Sequence, residues 1–126
     1  AKHSKTIRSK GIEPMLFMSW PYKNKPLMMQ ELRKEFITAA NKNNILLIPA
    51  GEAFYQFNNA YPDVDLYTPD LRHPSKEGTY LAAAVVFATI FKTVTEGNEG
   101  IKDIDPEVAL KIQQIADRTV QEFFGH

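Results

Sequence analysis

The chain has 126 residues, with 15 Lys plus Arg against 15 Asp plus Glu, so its formal net charge is zero. That balance argues against a nucleic-acid footprint. Cys is absent, which excludes a disulfide framework, a thiolate metal site and a cysteine nucleophile.

The opening AKHSKTIRSK has no apolar stretch of the kind a signal peptide needs. It reads as the tail of a helix over residues 1–10, with Gly11 ending it. Pro14 to Trp20 (PMLFMSW) is short and almost uninterrupted in its apolar character, which predicts a buried parallel strand. Pro21 to Lys25 forms a loop, and Pro26 sits where a first-turn proline belongs. Met28, Leu32, Phe36 and Ala39 or Ala40 recur at spacings of three and four, the stripe of an amphipathic helix. Asn41 to Asn44 end that helix.

Ile45 to Ile48 predicts a second buried strand, closed by Pro49, Ala50 and Gly51. Glu52 to Asn59 predicts a short aromatic-bearing helix. Alternating helices and strands imply crossovers and a parallel sheet. After a loop from Tyr61 to Tyr67 comes a stiff corner. Ser75 then caps a helix whose stretch from Thr79 to Phe91 is apolar almost all round, which predicts burial on most sides. Gly78 in its first turn implies a close approach of backbone or ligand. That helix holds the longest apolar run, Leu81 to Phe91, about half the length a bilayer span requires. Glu96 to Gly100 end it. Asp105, Pro106 and Glu107 start a last helix, with Val108, Ile112, Ile115, Thr119 or Val120, and Phe123 on its apolar stripe.

Two strands and about four helices make an incomplete body, because parallel sheets are covered on both faces. Residues 1–126 are therefore expected to form one partial domain, the C-terminal half of a larger α/β unit.

The corner carries the chemistry. Asp70 and His73 lie three residues apart between Pro69 and Pro74. Each proline fixes its own φ and restricts the residue before it. A carboxylate beside an imidazole fixes its tautomer and stabilises its protonated form. These are two members of a catalytic triad, and no nucleophile accompanies them. The same residues also read as a structural turn, with Asp70 accepting backbone N–H groups and His73 packed. A third reading is a metal site built from Asp70, His73 and either Asp63 or Asp65, for which no second central histidine is present.

The run LYTPDLRHPSKEGTYLAA resembles the last sequence block of the SGNH/GDSL hydrolases, in particular bacterial members that read D-x-x-H-P-S-x-x-G-x-Y-L-A-A. LFMSWPY and IPAGEAF resemble two earlier strand ends of those proteins, so the likeness covers most of Gly11 to Phe91. It implies a flavodoxin-like three-layer α/β/α fold with parallel strands and an acyl-transfer activity, usually ester hydrolysis, that needs no cofactor. His73 would be the general base and Asp70 the residue that orients it. The family's serine lies in a G-D-S motif and its oxyanion donors in later blocks, all of which precede the matched stretch.

No G-D-S and no G-x-N-D occur in this chain. Its serines are Ser4, Ser9, Ser19 and Ser75; Ser75 reads as a helix cap, and Ser19 matches no nucleophile motif. Trp20 and Tyr22, at the end of the first strand, are candidates to line a substrate pocket. The resemblance implies a serine esterase acting on small-molecule or carbohydrate esters, O-acetyl groups among them. The chain would supply His and Asp and be inactive without an N-terminal segment or a complementary chain bearing the serine. The alternative is a non-catalytic domain of the same type that binds carbohydrate or a protein partner. The compartment stays open, an extracytoplasmic one included.

Overall fold

The computed structural model of the protein describes residues 15–21, 27–70, 73–91 and 104–125. Among these residues a short parallel sheet of two strands is joined by four helices. Their order is β1 (Met15–Phe17), α1 (Met28–Asn43), β2 (Leu46–Ile48), α2 (Ala50–Ala60), α3 (Lys76–Phe91) and α4 (Pro106–Phe124). The class is mixed α/β. The helix tail expected over residues 1–10 with Gly11, the first-turn role of Pro26, and the helix end at Glu96 to Gly100 lie outside the described residues.

The strands pair in parallel, with Met15 opposite Leu46, Leu16 opposite Leu47 and Phe17 opposite Ile48. Side chains alternate across the sheet. Leu16, Met18 and Leu47 join a cluster with Met29, Phe36, Ile37 and Ala40 of α1. Ile48 joins the larger cluster built by α2, α3 and α4, where Phe54, Phe57, Leu81, Val85 and Ile112 are fully buried.

The first strand is shorter than the apolar run predicts. Met18 N–H still donates to Ile48 O at 2.9 Å, but Met18 O accepts from Gly51 N–H at 3.0 Å. The first turn of α2 thus ends the ladder and turns the chain away. A Cβ on Gly51 would lie 1.9 Å from Ser19 O. Gly51 therefore serves this close approach inside α2, which begins at Ala50 rather than at Glu52.

Helix α1 has Leu27 at its N-cap without a side-chain capping bond, and closes on Asn44 in the left-handed region (φ 52°). Asn tolerates that conformation better than most residues. Arg33 Nε and Nη2 donate to the two Glu52 carboxylate oxygens at 2.8 and 2.9 Å, tying α1 to α2. These hydrogen bonds hold the guanidinium more firmly charged than usual.

Helix α4 begins as its sequence predicts. Asp105 Oδ1 accepts from Glu107 N–H at 2.9 Å, and Pro106 opens the first turn. Ile112, Ile115, Thr119 and Val120 are buried, and so are Gln113 and Asp117 beside that stripe. The wider burial follows from α4 packing on both α2 and α3. Gln113 Nε2 donates to Tyr80 OH of α3 at 2.6 Å. The expected burial of α3 holds for Leu81, Ala84, Val85 and Ala88, but Ile90 and Phe91 at its end are 40% and 64% exposed. Among the described residues no helix is long and apolar enough to cross a membrane.

Candidate active site

The corner between the loop after α2 and the start of α3 is a small hydrogen-bonded frame. Tyr67 and Pro74 form an antiparallel bridge. Thr68 N–H donates to His73 O at 2.8 Å, and Ser75 N–H donates to Leu66 O at 2.8 Å. The two arms thus close on each other, and Asp70 and His73 at their ends are both open to solvent.

Ser75 anchors the second arm. Its hydroxyl donates to Asp65 O at 2.8 Å and accepts from Gly78 N–H at 3.2 Å. This is the N-cap geometry that its position predicts. Its proton and a lone pair are both engaged in the turn. Gly78 explains how closely helix and arm approach, since a Cβ there would stand 2.2 Å from Leu66 O. The approach expected at this glycine is to backbone.

Asp70 sits inside the frame and divides its two oxygens. Oδ1 accepts from His73 N–H at 3.0 Å and from the Thr68 hydroxyl at 2.8 Å. Oδ2 pairs with His73 Nδ1. An ionised carboxylate only accepts, so when the ring is neutral Nδ1 carries the proton and the lone pair lies on Nε2. The His73 side chain is 78% exposed and that of Asp70 46%. A contact between side chains this exposed stabilises a fold by at most about 1 kcal/mol. The structure therefore joins the two elements of the corner reading: Asp70 accepts a backbone N–H and also holds the ring, which is not packed away.

Behind the corner runs a line of aromatic rings. Trp20 stacks on Phe54 with centroids 4.6 Å apart and planes 11° from parallel, and Phe54 meets Tyr67 edge-on at 5.9 Å. The Tyr67 hydroxyl donates to Pro21 O at 2.7 Å and accepts from Asn58 Nδ2 at 3.3 Å. Burial pushes the Tyr67 phenol above its ordinary value near 10; the Asn58 hydrogen bond opposes this and the Asp65 charge adds to it. Trp20, a candidate pocket residue, is thus half-buried in this line and reaches the corner through two other rings. Tyr22 lies outside the described residues, as do Ser4 and Ser9. Ser19 is exposed at the end of β1.

Thr68 and Asp65 are members of the frame that the motif alone does not identify. Asp65 Oδ1 accepts from Tyr67 N–H at 3.1 Å, two residues on. An Asp that accepts from the backbone two residues on is the composition of a short side-chain turn, and Y-P-D-V-D carries that signal, whereas the Thr68 contact joins two side chains and has none. Among the described residues no group of three or more His, Cys, Asp or Glu side chains could hold a metal ion. A groove of about 600 Å³ lies elsewhere, lined by Arg33, Glu52, Gln56, Thr119, Glu122 and Phe123 among others, and contains neither Asp70 nor His73.

No protein-family model matches the chain, and no curated protein matches it. Among solved structures the fold is similar to the crystal structure of a DUF4886 family protein from Bacteroides uniformis. The TM-score is 0.82, and the sequences are 21% identical over 92% of this chain and 52% of that one. The chain thus spans about half the length of this structural neighbour. At that identity the likeness concerns the fold.

Proposed function

We propose that the chain supplies the histidine and aspartate of a serine ester hydrolase of the SGNH type, as the C-terminal part of a flavodoxin-like α/β/α domain. The observation that carries the reading is the Asp70–His73 pair, with Nδ1 engaged, Nε2 unencumbered and the ring exposed. An imidazole so held can take a proton from a hydroxyl at Nε2 and return it to a leaving alcohol. The reading puts the hydroxyl on a serine of another segment: Ser75 is engaged in capping α3, and no G-D-S motif surrounds Ser4, Ser9 or Ser19. The substrates are small O-acyl esters, acetyl groups on carbohydrates among them. No cofactor enters the chemistry, and the likeness to half of a longer protein supports a domain completed by a second segment.

The test is a fluorophosphonate probe, which reacts with activated serine hydroxyls. The polypeptide that carries this chain together with the serine-bearing segment is expected to be labelled once, outside residues 1–126, and the His73→Ala variant is expected to lose the label. Labelling on a serine of this chain would overturn the division of roles. An unlabelled protein that binds a carbohydrate or a protein partner would favour the non-catalytic domain instead.

A further inference from the structure

We infer that Thr68 is a positioning residue, which sets the orientation of the Asp70 carboxylate and through it the tautomer of His73. Three contacts lead to this assignment. The Thr68 hydroxyl donates to Asp70 Oδ1 at 2.8 Å. The same oxygen receives His73 N–H at 3.0 Å. Thr68 N–H donates to His73 O at 2.8 Å. Thr68 therefore grips both members of the pair, one by its side chain and the other by its main chain. With Oδ1 held by two donors, the plane of the carboxylate is fixed and Oδ2 is left for the ring. Deprived of the hydroxyl, Asp70 loses one of the donors that hold Oδ1, and the acceptor that faces Nδ1 is less firmly set. The β-branched shape of Thr restricts its own rotamers, so the hydroxyl arrives already aimed.

The importance of this grip for catalysis rests on the proposed esterase reading, but the positioning itself does not. The experiment is nitrogen-15 NMR of the imidazoles in the 126-residue chain, at a pH where they are neutral. The three histidines, His3, His73 and His126, are separated by the signals missing from a His73→Ala variant. Thr68→Val keeps the branched shape and removes only the hydroxyl; Thr68→Ser keeps the hydroxyl. The expected result is a His73 signature with the proton on Nδ1 in the wild type and in Thr68→Ser, replaced by a mixed-tautomer signature in Thr68→Val. A Thr68→Val spectrum with the wild-type His73 signature would overturn the assignment. So would collapse of the whole spectrum in that variant, since Thr68 would then support the fold rather than the pair. A wild-type ring protonated on Nε2 would refute the pair and the esterase reading together, whereas the expected tautomers with no hydrolysis by the polypeptide that joins this chain to the serine-bearing segment would refute the esterase reading alone.

Discussion

At the scale of single residues, the corner concentrates its polar contacts on one carboxylate. Asp70→Asn retains the shape of the side chain but presents an amide where His73 Nδ1 needs an acceptor of fixed charge. In the proposed complete hydrolase this substitution is expected to lower kcat by about two to four orders of magnitude, the range of general-base contributions. The check is steady-state turnover of a short-chain p-nitrophenyl ester. Tyr67 makes a separate prediction about stability. Burial raises its folded-state value above about 10, so above that pH the unfolded chain releases a proton that the folded chain still holds. The associated stability is full below pH about 10 and declines as pH rises through the folded-state value. Urea denaturation followed across that window should show the decline. Tyr67→Phe should flatten it, at the cost of about 1 kcal/mol for the lost bond to Pro21 O.

At the scale of elements, the first turn of α3 holds the corner in place. Ser75→Ala removes an N-cap and a link to Asp65 O together, and should cost about 1–2 kcal/mol. Gly78→Ala drives a methyl group into Leu66 O and should cost about 3 kcal/mol, the upper part of the usual range for overpacking. Thermal denaturation of the two variants ranks them, and a Gly78→Ala protein as stable as wild type would contradict the close approach. Much of this element was readable beforehand, because Ser75, Lys76 and Glu77 form a local cap signature and local signatures do not depend on distant partners. The start of α4 was readable for the same reason, from Asp105 and Pro106. What the sequence concealed depends on contacts far along the chain. The ends of β1 and α2 are set by the meeting of Met18 and Gly51, which no periodicity describes. Burial of Gln113 and Asp117 follows from α4 touching two helices at once. In the candidate site, Asp70 and His73 were legible as a motif, whereas the grip of Thr68 appears only once the two arms are folded together.

At the scale of the whole molecule, the described residues form a small sheet with apolar side chains left open to solvent. Met15 is 43% exposed and Phe17 39%, although both belong to a strand, and Phe91 is 64% exposed at the end of an apolar helix. Parallel sheets ordinarily bury such residues on both faces. In the proposed complete domain a further segment covers this surface and brings its serine to His73 Nε2. The isolated chain is accordingly expected to hydrolyse no short-chain ester above the buffer rate, and turnover by it alone would mean that one of its own serines is the nucleophile. The central claim is that the exposed nitrogen of His73 acts as the base. It is tested most directly by kcat/KM for p-nitrophenyl acetate, measured on the polypeptide that joins this chain to the serine-bearing segment, with and without His73→Ala. The account predicts a fall of at least about a hundredfold, the lower bound for a lost general base, with the fold retained; an unchanged kcat/KM would contradict it.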